Sequence, residues 1–209
     1  MEKPTAKRKE REKEARKHSI LEAAARVFSR KNFGEATLDE IAIEAELSKG
    51  TLYNYFKDKQ DLFDSLMDHG HEHFLLCFEE AIGKSKSIES LIGNLFTNFI
   101  GTLFEHHYLV RMILTSGMCS SDGDCSEVII DWHRRIEAAT QKIADAFGDL
   151  DEGKDIPYDD RLSAAVMIIA VSRYLFLIHV REEYENRLKS EIENYTRLIS
   201  RGLNIERDA

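Results

Sequence analysis

The chain has 209 residues, 43% of them hydrophobic, with 11 glycines and only 2 prolines. A β-sandwich or barrel needs turn residues every eight to twelve positions or so, which this sparse punctuation excludes. The apolar fraction excludes wholesale disorder, so a mainly helical protein of one or two domains is expected.

Net charge is −9, which alone argues against a polyanion partner. The distribution reverses that reading. Residues 1–60 carry 14 Lys and Arg against 11 Asp and Glu, whereas the remainder carries 15 against 27. A basic head on an acidic body fits a protein that meets a polyanion at one end. The cysteines, Cys77, Cys119 and Cys125, are odd in number. The first residues lack the apolar core of a signal peptide, so a reducing, cytoplasmic setting is expected. The longest apolar stretch, 164–180, is broken by Ser172, Arg173 and His179 and is short for a bilayer. It reads as a buried helix, and no membrane partner is expected.

In chain order, 6–31 is rich in strong helix formers, with Ile20, Leu21, Ala24, Val27 and Phe28 on one face. Asn32, Phe33 and Gly34 end it. Thr37 with Glu40 three residues on has the form of a capping box opening a short helix over 38–45. Ser48 is a second N-cap, before a helix over 49–55. A longer amphipathic helix starts at Asp58 or Lys59 and runs through Phe74 and Phe78 to Ile82. Further helices are expected over 88–104, 108–118, 126–147, 159–185 and 188–203. Residues 119–125 and 148–158 are loops.

Two short helices joined by a tight turn behind a supporting helix form a helix-turn-helix. Such a motif reads DNA by presenting small or polar side chains at the N-terminal end of its second helix. Here that end reads Ser48, Lys49, Gly50, Thr51. Leu52 and Phe56 point back into a small core, while Tyr53, Asn54 and Tyr55 occupy the other faces. Thr51 and the tyrosine hydroxyls suit phosphate oxygens, and Lys59 adds a charge. Taken singly, Tyr53 and Tyr55 are ordinary half-buried aromatics and Lys49 and Lys59 solvated charges; the conjunction points to DNA. The Lys/Arg-rich arm before Ile20 reads equally as a solvated helical extension or as a phosphate-contacting arm.

The series Ile20, Leu21, Ala23, Ala24, Val27, Phe28, then Thr37, Glu40, Ile41, Ala42, Ala45, then Leu47 to Tyr53, Tyr55, Phe56, Lys59 and Leu62 resembles the TetR family of transcriptional regulators. The resemblance covers about a quarter of the chain. It implies an all-α protein with an N-terminal three-helix helix-turn-helix DNA-binding domain (1–64) and a C-terminal helical bundle for ligand binding and dimerisation (65–209). It further implies a homodimer on a pseudo-palindromic operator, acting as a repressor released by a small-molecule effector. By the same resemblance, Thr37, Ser48, Lys49, Gly50, Thr51, Tyr53, Tyr55 and Lys59 touch DNA, and Asn54 sets base preference. Glu46 stands where the family usually has glycine, at a modest cost if the backbone there is left-handed.

In the C-terminal half, Val171, Leu175, Leu188, Ile192, Tyr195 and Ile199 are expected at the dimer interface. An effector pocket is expected against Phe96, Phe99, Leu103 and Met112, with Trp132, Ile136, Met167 and Tyr174. His107, His133 and Arg173 are its polar points, though for each apolar member core packing is the default reading. Arg173, on an apolar helix, needs an anion, either a partner carboxylate or a ligand. His69 and His73 share a helix face at a spacing that chelates metal, and Cys119 and Cys125 flank a short loop. A metal- or redox-sensing regulator using these residues is the alternative reading, although a solvated histidine run and free thiols are the default and no metal site is assigned. No Ser/His/Asp set, Glu-x-x-His pair or Gly-rich phosphate loop is visible, so neither an enzyme nor a cofactor is expected.

Overall fold

A computed structural model describes residues 4–31, 33–115, 127–179 and 185–203. Among the described residues the protein is all-α, without a strand. The helices are α1 (Pro4–Arg30), α2 (Leu38–Glu44), α3 (Lys49–Tyr53), α4 (Lys59–Lys84) and α5 (Ile88–Glu105). They continue with α6 (His107–Thr115), α7 (Glu127–Asp149), α8 (Tyr158–His179) and α9 (Glu185–Gly202). Cys119, Cys125, Asn32 and the end of the expected 159–185 helix lie outside the described residues. The chain divides into two units, Met1–Gly70 with Tyr108–Ile130, and His71–His107 with Asp131–Ala209.

In the first unit the apolar stripe of α1 begins at Ile20. Ile20, Ala23 and Ala24 are fully buried, and Leu21, Val27 and Phe28 nearly so. Residues 7–16 are helical and all exposed, with Arg8 and Glu12 paired one turn apart at 2.8 Å, an arrangement open to solvent or to a phosphate backbone. Ile41 and Ala42 of α2, Leu52 of α3, Phe56, and Leu62, Phe63 and Leu66 of α4 complete the core. Phe28, Phe33 and Phe63 form a ring cluster with centroids 5.0–5.8 Å apart, which joins α1, the loop after it and α4. Helix α3 ends two residues earlier than its sequence suggests. The Asn54 N–H turns to the Thr51 carbonyl and the Tyr55 N–H to that of Leu52, tightening the last turn and carrying Phe56 into the core.

The second unit is built on α5, whose wide stripe (Ile88, Leu91, Ile92, Leu95, Phe96, Phe99, Ile100, Leu103) is buried throughout and packs against α8 and α9. Ser87 and Ser90 form a reciprocal cap at its start, and Glu152 accepts the Ile88 N–H at 3.0 Å. The 3-10 turn Asp151–Gly153 that carries Glu152 lies so close to α7 that a Cβ on Gly153 would meet the Phe147 carbonyl oxygen at 1.8 Å. Only glycine fits there. The Cys77 thiol donates to the Phe74 carbonyl, and burial pushes its pKa up to about 12, so it is a packing residue.

Helix α8 shows two apolar faces. Ala164, Ala165, Ile168, Leu175 and Phe176 are buried at 0–2% exposure, while Val166, Met167, Tyr174, Leu177 and Ile178 stand 37–56% exposed on the opposite side. It is long and apolar enough to cross a bilayer by composition alone. Its inner face nevertheless closes the core of the unit, and Ser172 and Arg173 interrupt it, as in a bundle helix. This two-sidedness corrects two expectations. Leu175 and Ile199, assigned to a dimer interface, are buried within the protomer, and Met167, Tyr174 and Arg173, assigned to a pocket, lie on the outward face. An exposed arginine needs no buried anion. A helix that is apolar all round offers no period from which to tell its faces apart.

Candidate nucleic-acid interface

The geometry of α2 and α3 follows from their caps. Thr37 is extended (φ −119°, ψ 152°); its Oγ1 accepts the Glu40 N–H at 3.2 Å, and the Glu40 carboxylate accepts the Thr37 N–H at 3.1 Å. Lys31 also pairs with Glu40, and with the Thr37 bonds it holds that carboxyl below its ordinary value. At the other end of α2 the Leu47 N–H reaches the Ala42 carbonyl (2.8 Å) and the Glu46 N–H that of Ile43 (3.0 Å). These two bonds define a Schellman ending, whose C′ residue takes a left-handed backbone. Glu46 does so, with φ 55°. The strain foreseen for a non-glycine residue in this turn is present, at roughly 1–2 kcal/mol.

Ser48 then caps α3: its Oγ accepts the Thr51 N–H at 3.1 Å and lies 2.8 Å from Thr51 Oγ1. Leu52 and Phe56 anchor the helix in the core at 0% and 1% exposure. With that face committed, Ser48, Lys49, Gly50, Tyr53 and Asn54 are exposed, and Thr51 and Tyr55 half-buried. A Cβ built on Gly50 meets nothing closer than Ser48 Oγ at 3.9 Å, so nothing within the protein demands glycine there. Lys49 is held by Asp39 at 2.7 Å, a hydrogen bond that keeps the ammonium above its ordinary pKa. To meet a phosphate it must share itself with that carboxylate.

Lys59 behaves differently from its sequence expectation. Its ammonium donates to the carbonyls of Phe33 (2.7 Å), Ala36 (2.9 Å) and, more weakly, Gly34 (3.4 Å), and stands 4.6 Å from the centre of the Phe33 ring. It fastens the loop before α2 to α4. A second brace has no local sequence signal: Glu44 accepts from Arg26 at 2.7 Å and from Arg30 at 2.8 Å, joining α1 to α2. These guanidiniums, Arg26 first, hold the Glu44 carboxyl below its ordinary range.

The residues expected around an effector are dispersed. Phe96, Phe99 and Leu103 are buried on α5; Trp132 and Ile136 are half-buried on α7, and His133 is exposed. His107, half-buried, has Nδ1 3.0 Å from the Phe104 carbonyl oxygen. Met112 is buried in the first unit. Around Trp132 the second unit gathers rings: Phe74 lies 5.6 Å from both Trp132 and Phe99, and His71 lies 6.1 Å from Trp132. Among the described residues no group of three or more His, Cys, Asp or Glu is arranged to hold a metal. His69 and His73 share a helix, but their ring contacts lie elsewhere, His69 with His18 and His73 with His106.

A capped pair of short helices behind a long support, with a small, polar and exposed leading end, defines a helix-turn-helix DNA-binding protein. Residues 20–66 match the family model described as bacterial regulatory proteins, tetR family. The chain belongs to the TetR family of transcriptional regulators. Over nearly its whole length it is similar to the nucleoid occlusion factor SlmA of Pasteurella multocida, at 21% identity across 90% of this chain and 94% of that protein. Other curated regulators match over about a quarter of their own length. A transcriptional regulator from Aquifex aeolicus superposes with a TM-score of 0.68 at 26% identity, covering 88% of this chain and 99% of that one. FadR from Bacillus subtilis in complex with stearoyl-CoA shares the fold, with a TM-score of 0.60 at 20% identity over 88% and 98% of the two chains.

Proposed function

We propose that this regulator is a repressor that binds a pseudo-palindromic operator as a homodimer and is released by a small, largely apolar effector. Ser48, Lys49, Gly50, Thr51, Tyr53, Asn54 and Tyr55 meet the duplex, with Thr37 at the entry to α2, and Lys59 serves them from behind by fixing the loop. A second copy covers the outward face of α8, where Val166, Met167, Tyr174, Leu177 and Ile178 leave a stripe that water solvates poorly. Val171, Leu188, Ile192 and Tyr195, half-buried in the protomer, border that contact. The effector lies in the second unit against Phe96, Phe99, Leu103, Trp132 and Ile136, with His107 and His133 as its polar neighbours. Support for an apolar effector comes from the density of rings there and from the acyl-CoA complex of a protein with the same fold.

The observation that carries the DNA reading is Gly50: a glycine in a helix where the protein itself has room for a side chain. Helical glycine costs about 0.5–1 kcal/mol relative to alanine; Gly83, Gly93 and Gly101 are equally unhindered, but Gly50 alone of the four lies at the exposed leading end of α3, where an outside surface approaches closely. Gly50→Ala is therefore expected to leave thermal stability equal or slightly higher while weakening operator binding at least roughly tenfold, the loss of one or two close backbone contacts. Fluorescence anisotropy on a DNA selected from a random pool measures the second effect. Unchanged affinity in the alanine variant would remove α3 from the interface.

A further inference from the structure

We propose that His18 and His69 together bind a divalent transition-metal ion (zinc, nickel or copper(II)) and so clamp α1 to α4 within the DNA-binding unit. The two residues are 51 positions apart in sequence, yet His18 Nδ1 lies 3.2 Å from His69 Nε2, with the rings edge to face and their centroids 5.1 Å apart. Two imidazole nitrogens on one tetrahedral ion, each at the usual metal–nitrogen distance of about 2.0–2.1 Å, stand about 3.3 Å from each other. The helices thus hold the two donors at the separation an ion needs. In the metal-free protein the two nitrogens stand within hydrogen-bond distance, one donating its proton to the other. An ion takes that proton's place when His69 carries its proton on Nδ1 instead.

Two surrounding features favour that exchange. Glu22, one turn after His18, has its Oε1 3.4 Å from His18 Nε2. A carboxylate beside the far nitrogen favours a proton on that side, which leaves Nδ1 as the atom facing His69, in the manner of the carboxylates behind many metal-bound histidines. The other donor is firmly seated. Gly70, the next residue, is packed so closely that a Cβ on it would meet Leu109 Cδ2 at 2.1 Å, which fixes the α4 backbone beside His69. The site is also open: the His18 side chain is 47% exposed and His69 is half-buried, so an ion enters from solvent and water fills its remaining positions. This pairing differs from the His69/His73 chelate that helical spacing suggests. His73 lies instead with its ring 4.4 Å from that of His106.

The full-length protein, stripped with chelator, is titrated with zinc chloride in a calorimeter and with cobalt chloride by visible absorption. One ion per chain is expected, with His18→Gln and His69→Gln each weakening binding at least roughly tenfold and His73→Gln leaving it unchanged. Saturating zinc should also raise Tm by about 5 °C or more in the wild type and not in His18→Gln, a readout referred to each variant's own metal-free Tm. The inference fails if zinc at roughly a hundred times micromolar concentration gives no heat and no stabilisation. It fails equally if His73→Gln abolishes binding while His18→Gln keeps it, which would assign the ion to the local helical pair.

Discussion

Replacing Lys59 with methionine keeps the aliphatic stem and removes only the ammonium, so it isolates the contact between that group and the loop. The ammonium makes two hydrogen bonds of good length, to Phe33 O at 2.7 Å and Ala36 O at 2.9 Å; the third, to Gly34 O at 3.4 Å, adds little. Hydrogen bonds from a charged donor contribute about 1.5–3 kcal/mol each, and the half-exposed site puts both at the lower end, near 3 kcal/mol together. The Phe33 ring at 4.6 Å adds about 0.5 kcal/mol or more. Freed carbonyls turn to water and recover part of the total. A loss of about 2–3 kcal/mol remains, or a fall in Tm of roughly 5–10 °C for a chain of this size. Urea unfolding with an unchanged m-value measures the loss, and amide exchange at residues 33–37 shows whether the loop opens first. Lys57→Met, at an exposed neighbouring position, serves as control and should change stability by less than about 0.5 kcal/mol. A Lys59→Met effect no larger than that control would refute the fastening role.

The outward face of α8 and the charged brace on α2 give two further tests. Met167→Asp combined with Tyr174→Asp places charges on a face that is already exposed in the protomer, so circular dichroism should stay helical while sedimentation shifts from dimer to monomer. Operator affinity should drop at least roughly tenfold with the loss of the second half-site; a persistent dimer would move the interface elsewhere. For Glu44, whose folded pKa lies below the ordinary 4.5, the stabilisation by Arg26 and Arg30 is complete above that value and disappears as pH falls through the folded pKa. The stability gap between wild type and Glu44→Gln should therefore be full well above the ordinary 4.5 and narrow as pH falls below it, as read by urea midpoints; a gap independent of pH would show that the pairs carry no net charge energy.

The parts of this fold legible in the sequence are those encoded within one helical turn. Thr37 with Glu40 and Ser48 with Thr51 are caps whose partners lie three residues apart, and each forms as its residue types dictate. Glu46 is a local signal of the same kind: a Schellman ending needs a left-handed residue after Ala45, and φ 55° is the result. Lys59 illustrates the opposite case. Its sequence neighbourhood describes an exposed cation at a helix start, and only the return of the 33–36 segment beneath it supplies the carbonyls that take its hydrogens. His69 was visible as one of a run of histidines, but the partner that faces it, His18, lies on another helix with nothing local to announce the pairing.

Helix α8 marks the boundary between these two kinds of information. Its middle is apolar on every side, although the protomer packs only one of its faces; under the proposed homodimer a second copy takes the other out of water. The apolar run therefore shows two faces without saying which of them the protomer packs. Direction comes from the small residues. Ala164, Ala165 and Ser172 put little bulk between α8 and α5, so that side seats closely against the α5 stripe, with Ile168, Leu175 and Phe176 filling the core around them. The larger Met167, Tyr174 and Leu177 are left pointing away, at a radius suited to interdigitating with another helix. On this reasoning the face is set by where the small side chains allow close approach, and enlarging Ala165 to leucine should destabilise the protomer by about 1–3 kcal/mol through overpacking, whereas the same change at the exposed Ala170 should leave the protomer's own unfolding unchanged and alter only its self-association.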